Sequence, residues 1–300
     1  MTMLSGARGV DESGERVPGG PNSDHTFRAA LDRLRVPGMG TEVVAPLLSN
    51  LIHMVRPTRV LEVGMGYTTL FLARALAEVD RAIEDERQAL VEKTEPYLRD
   101  GRDLDEKWIE TTPALLVPGF YNRRRATRFI AVDDLSDEHS SARRVGEALH
   151  EVGLADRVTV VNGQLRDCRE ALPEGFAPID FAWVDAWECL YFFEHFWDLI
   201  DPDGGLLVMH YLMTYPEGEA ILEYIADSQR LRAGEFEVLS LLEGQKLRQN
   251  SLTVIRKTAG AKPKTYAEQG QIFPMDGRFR EEANTLLENA RGHRLRGSDR

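Results

Sequence analysis

Only two cysteines, Cys168 and Cys189, occur in 300 residues. That is too few for a disulfide framework, and they lack the C-x-x-C spacing of a zinc or redox site, so both are expected as buried thiols in a reducing, cytoplasmic setting. No apolar run approaches the about 18 residues that a membrane span needs. The Gly-, Ser- and acid-rich residues ahead of position 40 hold no signal-peptide apolar core either. Positive charge is also scarce: 37 Lys and Arg stand against 49 Asp and Glu, a formal net charge of -12. Such a surface repels nucleic acid and anionic lipid, and the best basic cluster, Arg123-Arg124-Arg125 with Arg128, is short. A G-x-S-x-G elbow, a catalytic-cysteine signature, internal repeats and coiled-coil heptads are all missing.

What the chain does have is 42% apolar and 29% charged residues, enough for one large core. Its most informative stretch is Arg59-Val60-Leu61-Glu62-Val63-Gly64-Met65-Gly66-Tyr67-Thr68-Thr69-Leu70. An apolar strand that ends in spaced glycines and enters an amphipathic helix is how an α/β protein offers backbone N–H groups to a ligand. Apolar spacing predicts helices over 25–35 and 42–55, a strand over 60–63, and a helix from 68 or 69 that continues toward 97 with one interruption. Further strands are expected over 128–132, 158–161, 179–184 and 206–209, with helices over 137–152, 168–172 and 188–199. Residues 236–242 and 251–256 read as an antiparallel pair at the sheet edge.

Residues 1–23 read as a disordered lead, 24–258 as the folded domain and 259–300 as a C-terminal extension with an island at Ile272-Phe273-Pro274-Met275 and a helix near 281–290. A segment of about 97–127 interrupts the regular alternation before the second strand. With Trp108, Ile109, Leu115, Leu116, Val117, Phe120 and Tyr121 it is too apolar for an idle loop, and is expected as an inserted lid, with a subunit contact or plain packing as alternatives.

Ligands of an open parallel sheet bind beyond the carboxyl ends of its strands. That nominates Gly64-Met65-Gly66, Asp133-Asp134, Gly163-Gln164 and Asp185. A carboxylate after the second strand suits a ribose diol, and either Asp133 or Asp134 meets that need, helix capping being the competing role. Thr68 or Thr69 stands where a dinucleotide site has its third glycine, which favours a compact nucleoside over a pyrophosphate.

On these residues, and on Gly38-Met39-Gly40-Thr41, Gly153-Leu154-Ala155-Asp156-Arg157-Val158, Asp180-Phe181-Ala182-Trp183-Val184-Asp185-Ala186 and Asp203-Gly204-Gly205-Leu206-Leu207-Val208, the chain resembles the class I S-adenosylmethionine-dependent methyltransferases, and within them the small-molecule O-methyltransferases related to catechol and caffeoyl-CoA enzymes. The resemblance spans about 38–257. It implies a Rossmann-like sheet, mostly parallel with an antiparallel edge and helices on both faces. It also implies S-adenosylmethionine as cofactor, with Glu62, Gly64 and Gly66 on the methionine and ribose side, Asp134 as the ribose acid and Asp133 as its fallback, Gly163 and Gln164 near the adenine, and Tyr67 beside the cofactor or in packing. Homodimerisation is a further family expectation.

Catechol-type relatives hold Mg²⁺ with an Asp after the fourth strand and an Asp-Asn pair after the fifth. Here the first position is Asp185, but the other two are His210 and Tyr211. Imidazole and phenol are poor replacements for hard oxygen ligands, so no metal ligand is assigned and transfer is expected to be metal-independent. His210 is instead expected as a general base oriented by Asp185, with Tyr211 beside it and a structural histidine as the alternative. Trp187, Tyr191 and Tyr211 are candidates to wall an aromatic or amine-bearing substrate, with Glu188 to anchor an amine. The expected activity is methyl transfer to a small-molecule O, N or C nucleophile in specialised, natural-product metabolism, with no nucleic-acid or membrane partner. The competing readings are an NAD(P)-dependent oxidoreductase and a catalytically silent, methyltransferase-like partner protein. A tRNA or rRNA enzyme ranks below these because of the acidic charge.

Overall fold

The computed structural model describes residues 24–123, 125–138, 140–185, 187–245, 250–259 and 277–297. The expected lead 1–23, the island 272–275, Arg124 and Ala186 lie outside the described residues. In chain order the elements are α1 (Asp24–Leu34), α2 (Thr41–Val55), β1 (Arg59–Val63), α3 (Tyr67–Arg99), α4 (Glu106–Glu110), α5 (Pro118–Tyr121), β2 (Arg128–Asp133), α6 (Ala142–Glu151), β3 (Val158–Asn162), α7 (Leu165–Cys168), β4 (Phe181–Val184), α8 (Cys189–His195), β5 (Leu206–His210), α9 (Pro216–Leu231), β6 (Phe236–Glu243), β7 (Asn250–Lys257) and α10 (Gly277–Gly297).

The strands form one seven-stranded sheet in the order β3-β2-β1-β4-β5-β7-β6. β1 to β5 are parallel, and β7 joins β5 antiparallel with β6 beyond it, as the alternating pattern of the edge pair predicts. Period-two alternation sends successive side chains of each strand to opposite faces, so a sheet covered on both sides needs apolar residues at nearly every position. Val60, Phe129, Ala131, Phe181, Trp183 and Val208 pack beneath α1, α2, α3 and α6. Their neighbours Leu61, Ile130, Val132, Ala182, Val184, Leu207 and Met209 pack against α7, α8 and α9. The order reverses between β1 and β4, which opens a crevice at the carboxyl ends of those strands.

One helix decides where the inserted segment goes. α3 has 33 residues, about 50 Å at the α-helical rise, whereas a five-residue strand spans about 17 Å. Starting at the carboxyl end of β1, it therefore runs far past the amino edge of the sheet, without the expected interruption. Residues 97–127 return from that far end. The Lys93 ammonium donates to the carbonyls of Thr111 and Pro113, at 2.7 Å each, and lies 4.2 Å from the centre of the buried Trp108 ring. Trp108 in turn meets Phe279 of α10 edge-on. Arg125 donates to the carbonyls of Arg56 and Pro57, just ahead of β1. The segment expected to act as a lid thus packs with α10 at the opposite end of the sheet from the glycine turn.

Candidate active site

The β1–α3 turn is built for close approach. Gly64 has φ 89°, a conformation that costs an L side chain strain but glycine nothing. Its N–H bonds the Val132 carbonyl at 3.0 Å. The next N–H, from Met65, donates to Asp133 Oδ2 at 2.7 Å, while Ser140 Oγ donates to Asp133 Oδ1 at 2.5 Å. Asp133 is therefore the latch between the turn, the end of β2 and the start of α6. Ser141 Oγ completes it by donating to the Met65 carbonyl at 2.8 Å. At the mouth of α3, Gly66 N–H donates to Thr69 Oγ1 at 2.9 Å, satisfying one of the N–H groups left open in a first helical turn.

Asp134 is placed differently. Its Oδ1 accepts the Ser136 N–H at 3.0 Å and the Ser136 hydroxyl at 2.5 Å. The Ser136 hydroxyl holds the carboxyl below its ordinary range, assisted by the Ser136 N–H and the Gln164 side chain. Asp134 and Gln164 thus meet each other, and Asp133 alone meets the glycine turn. Gly163 donates its N–H to the Asp133 carbonyl at 3.0 Å. Beside this group lies a cavity of about 210 Å³ lined by Leu135, Ser136, Asp137, Glu138, Ser140 and Arg143. Larger cavities of about 490 and 640 Å³ lie at the far end of the sheet around Arg123 and Arg125 and touch none of the nominated cofactor residues.

Glu62 is the second carboxylate of the site and is completely buried. Pairing with Trp183 across β1 and β4 fixes its face of the sheet. Thr68 Oγ1 donates to Glu62 Oε1 at 2.8 Å and accepts from Trp183 Nε1 at 3.1 Å. Glu62 Oε2 has no hydrogen-bond partner among the described residues. Burial raises the carboxyl to about 8; the Thr69 and Thr68 hydroxyls oppose the rise, and the nearby Asp185 and Asp133 carboxylates add to it. A buried oxygen left over at the end of a strand is a place for a ligand donor. Tyr67 packs its ring on Phe71 with centroids 5.4 Å apart, and burial raises its phenol.

The third part of the site follows from strand register. Val184 pairs with Met209, so the next residues outward, Asp185 and His210, stand side by side. His210 Nδ1 is 2.5 Å from Asp185 Oδ1, and His210 Nε2 is 2.7 Å from Asn250 Oδ1. The His210 side chain is 1% exposed and that of Asp185 16%. Both ring nitrogens of the buried His210 thus face a side-chain partner, Asp185 on one side and Asn250 on the other. The same contacts leave it unable to ligate Mg²⁺, so the residues present do not fit the metal of the catechol-type enzymes. Among the described residues no group of three or more His, Cys, Asp or Glu is arranged to hold a metal.

Tyr211 stacks on His210 with centroids 3.5 Å apart and φ 68°. Tyr215 meets Tyr211 edge-on, and Trp187, 74% exposed, meets Tyr215 edge-on. Trp187 and Tyr211, two of the three aromatics expected beside a substrate, are linked through Tyr215. Tyr191 does not join them; its ring lies on His195, and its hydroxyl reaches the Arg166 carbonyl on the outer side of α8. Glu188 is the N-terminal flank of α8, where its carbonyl accepts the Phe192 N–H. Asn250, Trp183, Ser140 and Tyr215 are neighbours of the nominated residues that sequence reasoning did not single out.

A glycine turn, a strand-end acid and a buried acid lie together at the switch point of a doubly wound sheet, where ligands of open α/β sheets bind. The chain belongs to a methyltransferase domain family, whose model matches residues 61–211. Among solved structures it is similar to the O-methyltransferase TomG of Streptomyces achromogenes, involved in tomaymycin synthesis and solved with S-adenosylmethionine, at 19% identity and a TM-score of 0.52, covering 79% of this chain and 91% of that one. It is likewise similar to an O-methyltransferase from Bacillus cereus solved with S-adenosylhomocysteine, at 16% identity and a TM-score of 0.51, covering 78% and 91%. No curated protein matches the chain by sequence.

Proposed function

We propose that this chain transfers the methyl group of S-adenosylmethionine to an oxygen, nitrogen or carbon nucleophile of a small aromatic or amine-bearing molecule, without a divalent metal. The observation that carries the reading is the latched turn: Met65 N–H on Asp133, with the leftover Glu62 oxygen one strand residue behind it. Gly64 and Gly66 let the backbone approach the cofactor. Glu62 Oε2 receives the methionine ammonium and Asp133 the ribose, in preference to Asp134, whose carboxylate is drawn to Ser136 and Gln164. Gly163 and Gln164 lie on the adenine side, and Tyr67 supports the turn through packing.

When bound, S-adenosylmethionine supplies an electrophilic methyl carbon on a sulfonium. The chain's part is then to orient the acceptor, exclude water and receive a proton, so no protein nucleophile is needed. Trp187, Tyr215 and Tyr211 offer flat faces to an aromatic or cationic acceptor beside Asp185. That TomG is involved in tomaymycin synthesis supports a place in specialised metabolism; a cytoplasmic location and a homodimer are part of the same proposal without resting on that relative. The test is transfer of radiolabelled methyl to a panel of phenols, amines and heteroaromatics, with EDTA present and absent. Label in a small product at an EDTA-independent rate is expected. Transfer only to RNA or protein, or transfer abolished by EDTA, contradicts the reading.

A further inference from the structure

Asn250 ties together two parts of the chain far apart in sequence. Its Nδ2 donates to the Gly40 carbonyl at 3.1 Å while its Oδ1 faces His210 Nε2 at 2.7 Å. Asn250 is 4% exposed and His210 3%, so water does not substitute freely for either partner. The Gly40 carbonyl accepts only, which forces the amide nitrogen of Asn250 toward it and the amide oxygen toward the imidazole. An amide oxygen also accepts only. His210 Nε2 must therefore carry a hydrogen, and the 2.5 Å contact on the other side, between Nδ1 and Asp185 Oδ1, closes around one further proton.

From this we infer that Asn250 is a positioning residue that locks His210 with its proton on Nε2, and so makes Asp185, rather than His210, the group that takes the acceptor's proton in the methyl transfer. The inference rests on the proposed methyl-transfer reading for its last step only. His210 is the buried brace; Asp185, with Oδ1 held by the ring, keeps Oδ2 for the site. In the step, a bond forms between the acceptor atom and the methyl carbon as the C–S bond breaks. The C–S electron pair stays on sulfur, and the proton leaves the acceptor for Asp185 Oδ2. The pair gains one positive charge as the sulfonium charge disappears, so the total charge of the site is unchanged.

The spacing that allows the brace is itself specified. Gly40 has φ 76°, and a β-carbon there would lie 2.6 Å from Asn250 Cγ, so a side chain at 40 displaces the amide. This gives a reason for glycine at 40, at the entry to α2, that helix formation does not supply.

The test is ¹H–¹⁵N long-range correlation NMR of the imidazole nitrogens in the full chain, with His210 assigned by loss of its signals in His210→Gln, set beside steady-state kinetics. The wild type is expected to show hydrogen carried on Nε2. Asn250→Asp, which keeps an acceptor oxygen, is expected to retain that signature. Asn250→Leu is expected to lose it, with kcat reduced about tenfold or more and KM for S-adenosylmethionine changed less than threefold. A bare Nε2 in the wild type, or an unchanged His210 signature in a folded Asn250→Leu, overturns the lock. An Nε2–H signature as expected, together with no methyl transfer to any small acceptor, overturns the assignment of Asp185 and with it the functional reading, but not the lock. The wild-type spectrum decides the lock even where a variant does not fold.

Discussion

An Asp133→Ala chain binds S-adenosylhomocysteine about thirtyfold to a hundredfold more weakly than the wild type, while Asp134→Ala stays within about threefold. The contrast follows from what each carboxylate holds. Asp133 receives the Met65 N–H and the Ser140 hydroxyl, so its removal frees the glycine turn, unpins the entry to α6 and deletes the proposed ribose acceptor. Hydrogen bonds to a charged group contribute about 1.5 to 3 kcal/mol, and about 2 to 2.8 kcal/mol of that appearing in binding gives the stated range. Asp134 loses only its Ser136 and Gln164 partners. Calorimetric titration of both variants checks the pair, with thermal melts to show that each is folded. Equal losses, or a larger loss in Asp134→Ala, would reassign the ribose acid to the second position.

Glu62→Gln flattens the pH dependence of stability. In the unfolded chain the Glu62 carboxyl ionises near 4.5, whereas in the folded chain burial holds its proton until about pH 8. Between those values the unfolded state binds fewer protons, so this group makes the fold less stable as pH rises through the window, and adds no further change above about pH 8. The full effect is about 5 kcal/mol as an upper bound, and about 3 kcal/mol of it falls between pH 5.5 and 8.5. Urea unfolding at those two pH values should show the wild type losing about 3 kcal/mol relative to Glu62→Gln. Lys93, which burial lowers to about 8, is common to both proteins and cancels in the comparison. Parallel pH profiles would contradict the buried, protonated carboxyl.

Much of the fold is legible because a sheet buried on both faces leaves a strong mark. β2, β4 and β5 are near-continuous apolar runs that stop at turn residues, and β7, buried at most positions, separates β5 from the largely exposed edge strand β6. The start of α6 was expected at 137 and lies at Ala142, because Ser140 and Ser141 are drawn out of the helix to serve Asp133 and Met65. α9 went unmarked although Pro216 stands in its first turn, since its buried stripe is thin. The placement of 97–127 escaped the sequence for a different reason. Its apolar content shows that it packs, but only the uninterrupted length of α3 says at which end.

Within the site, Glu62, Gly64, Gly66, Asp133 and Asp185 are announced by their positions at strand ends. The partners that set their chemistry are not. Asn250 meets Gly40 across 210 residues of sequence, and nothing local to residue 250 marks it. Trp183 reads as one more apolar strand residue until strand register places its indole N–H on Thr68 and, through it, on Glu62. His210 was legible as a departure from the metal-binding pattern, while the partners of its nitrogens became visible only with the third dimension.

The claim at the centre of this account is that the Gly64–Gly66 turn, Glu62 and Asp133 form the seat of a sulfonium nucleoside. It is tested most directly by titrating S-adenosylhomocysteine into the purified full chain in a calorimeter at pH 7.5 with EDTA present. One site per chain with micromolar affinity, insensitive to the chelator, is expected. No heat of binding and no thermal stabilisation at millimolar S-adenosylhomocysteine would contradict it.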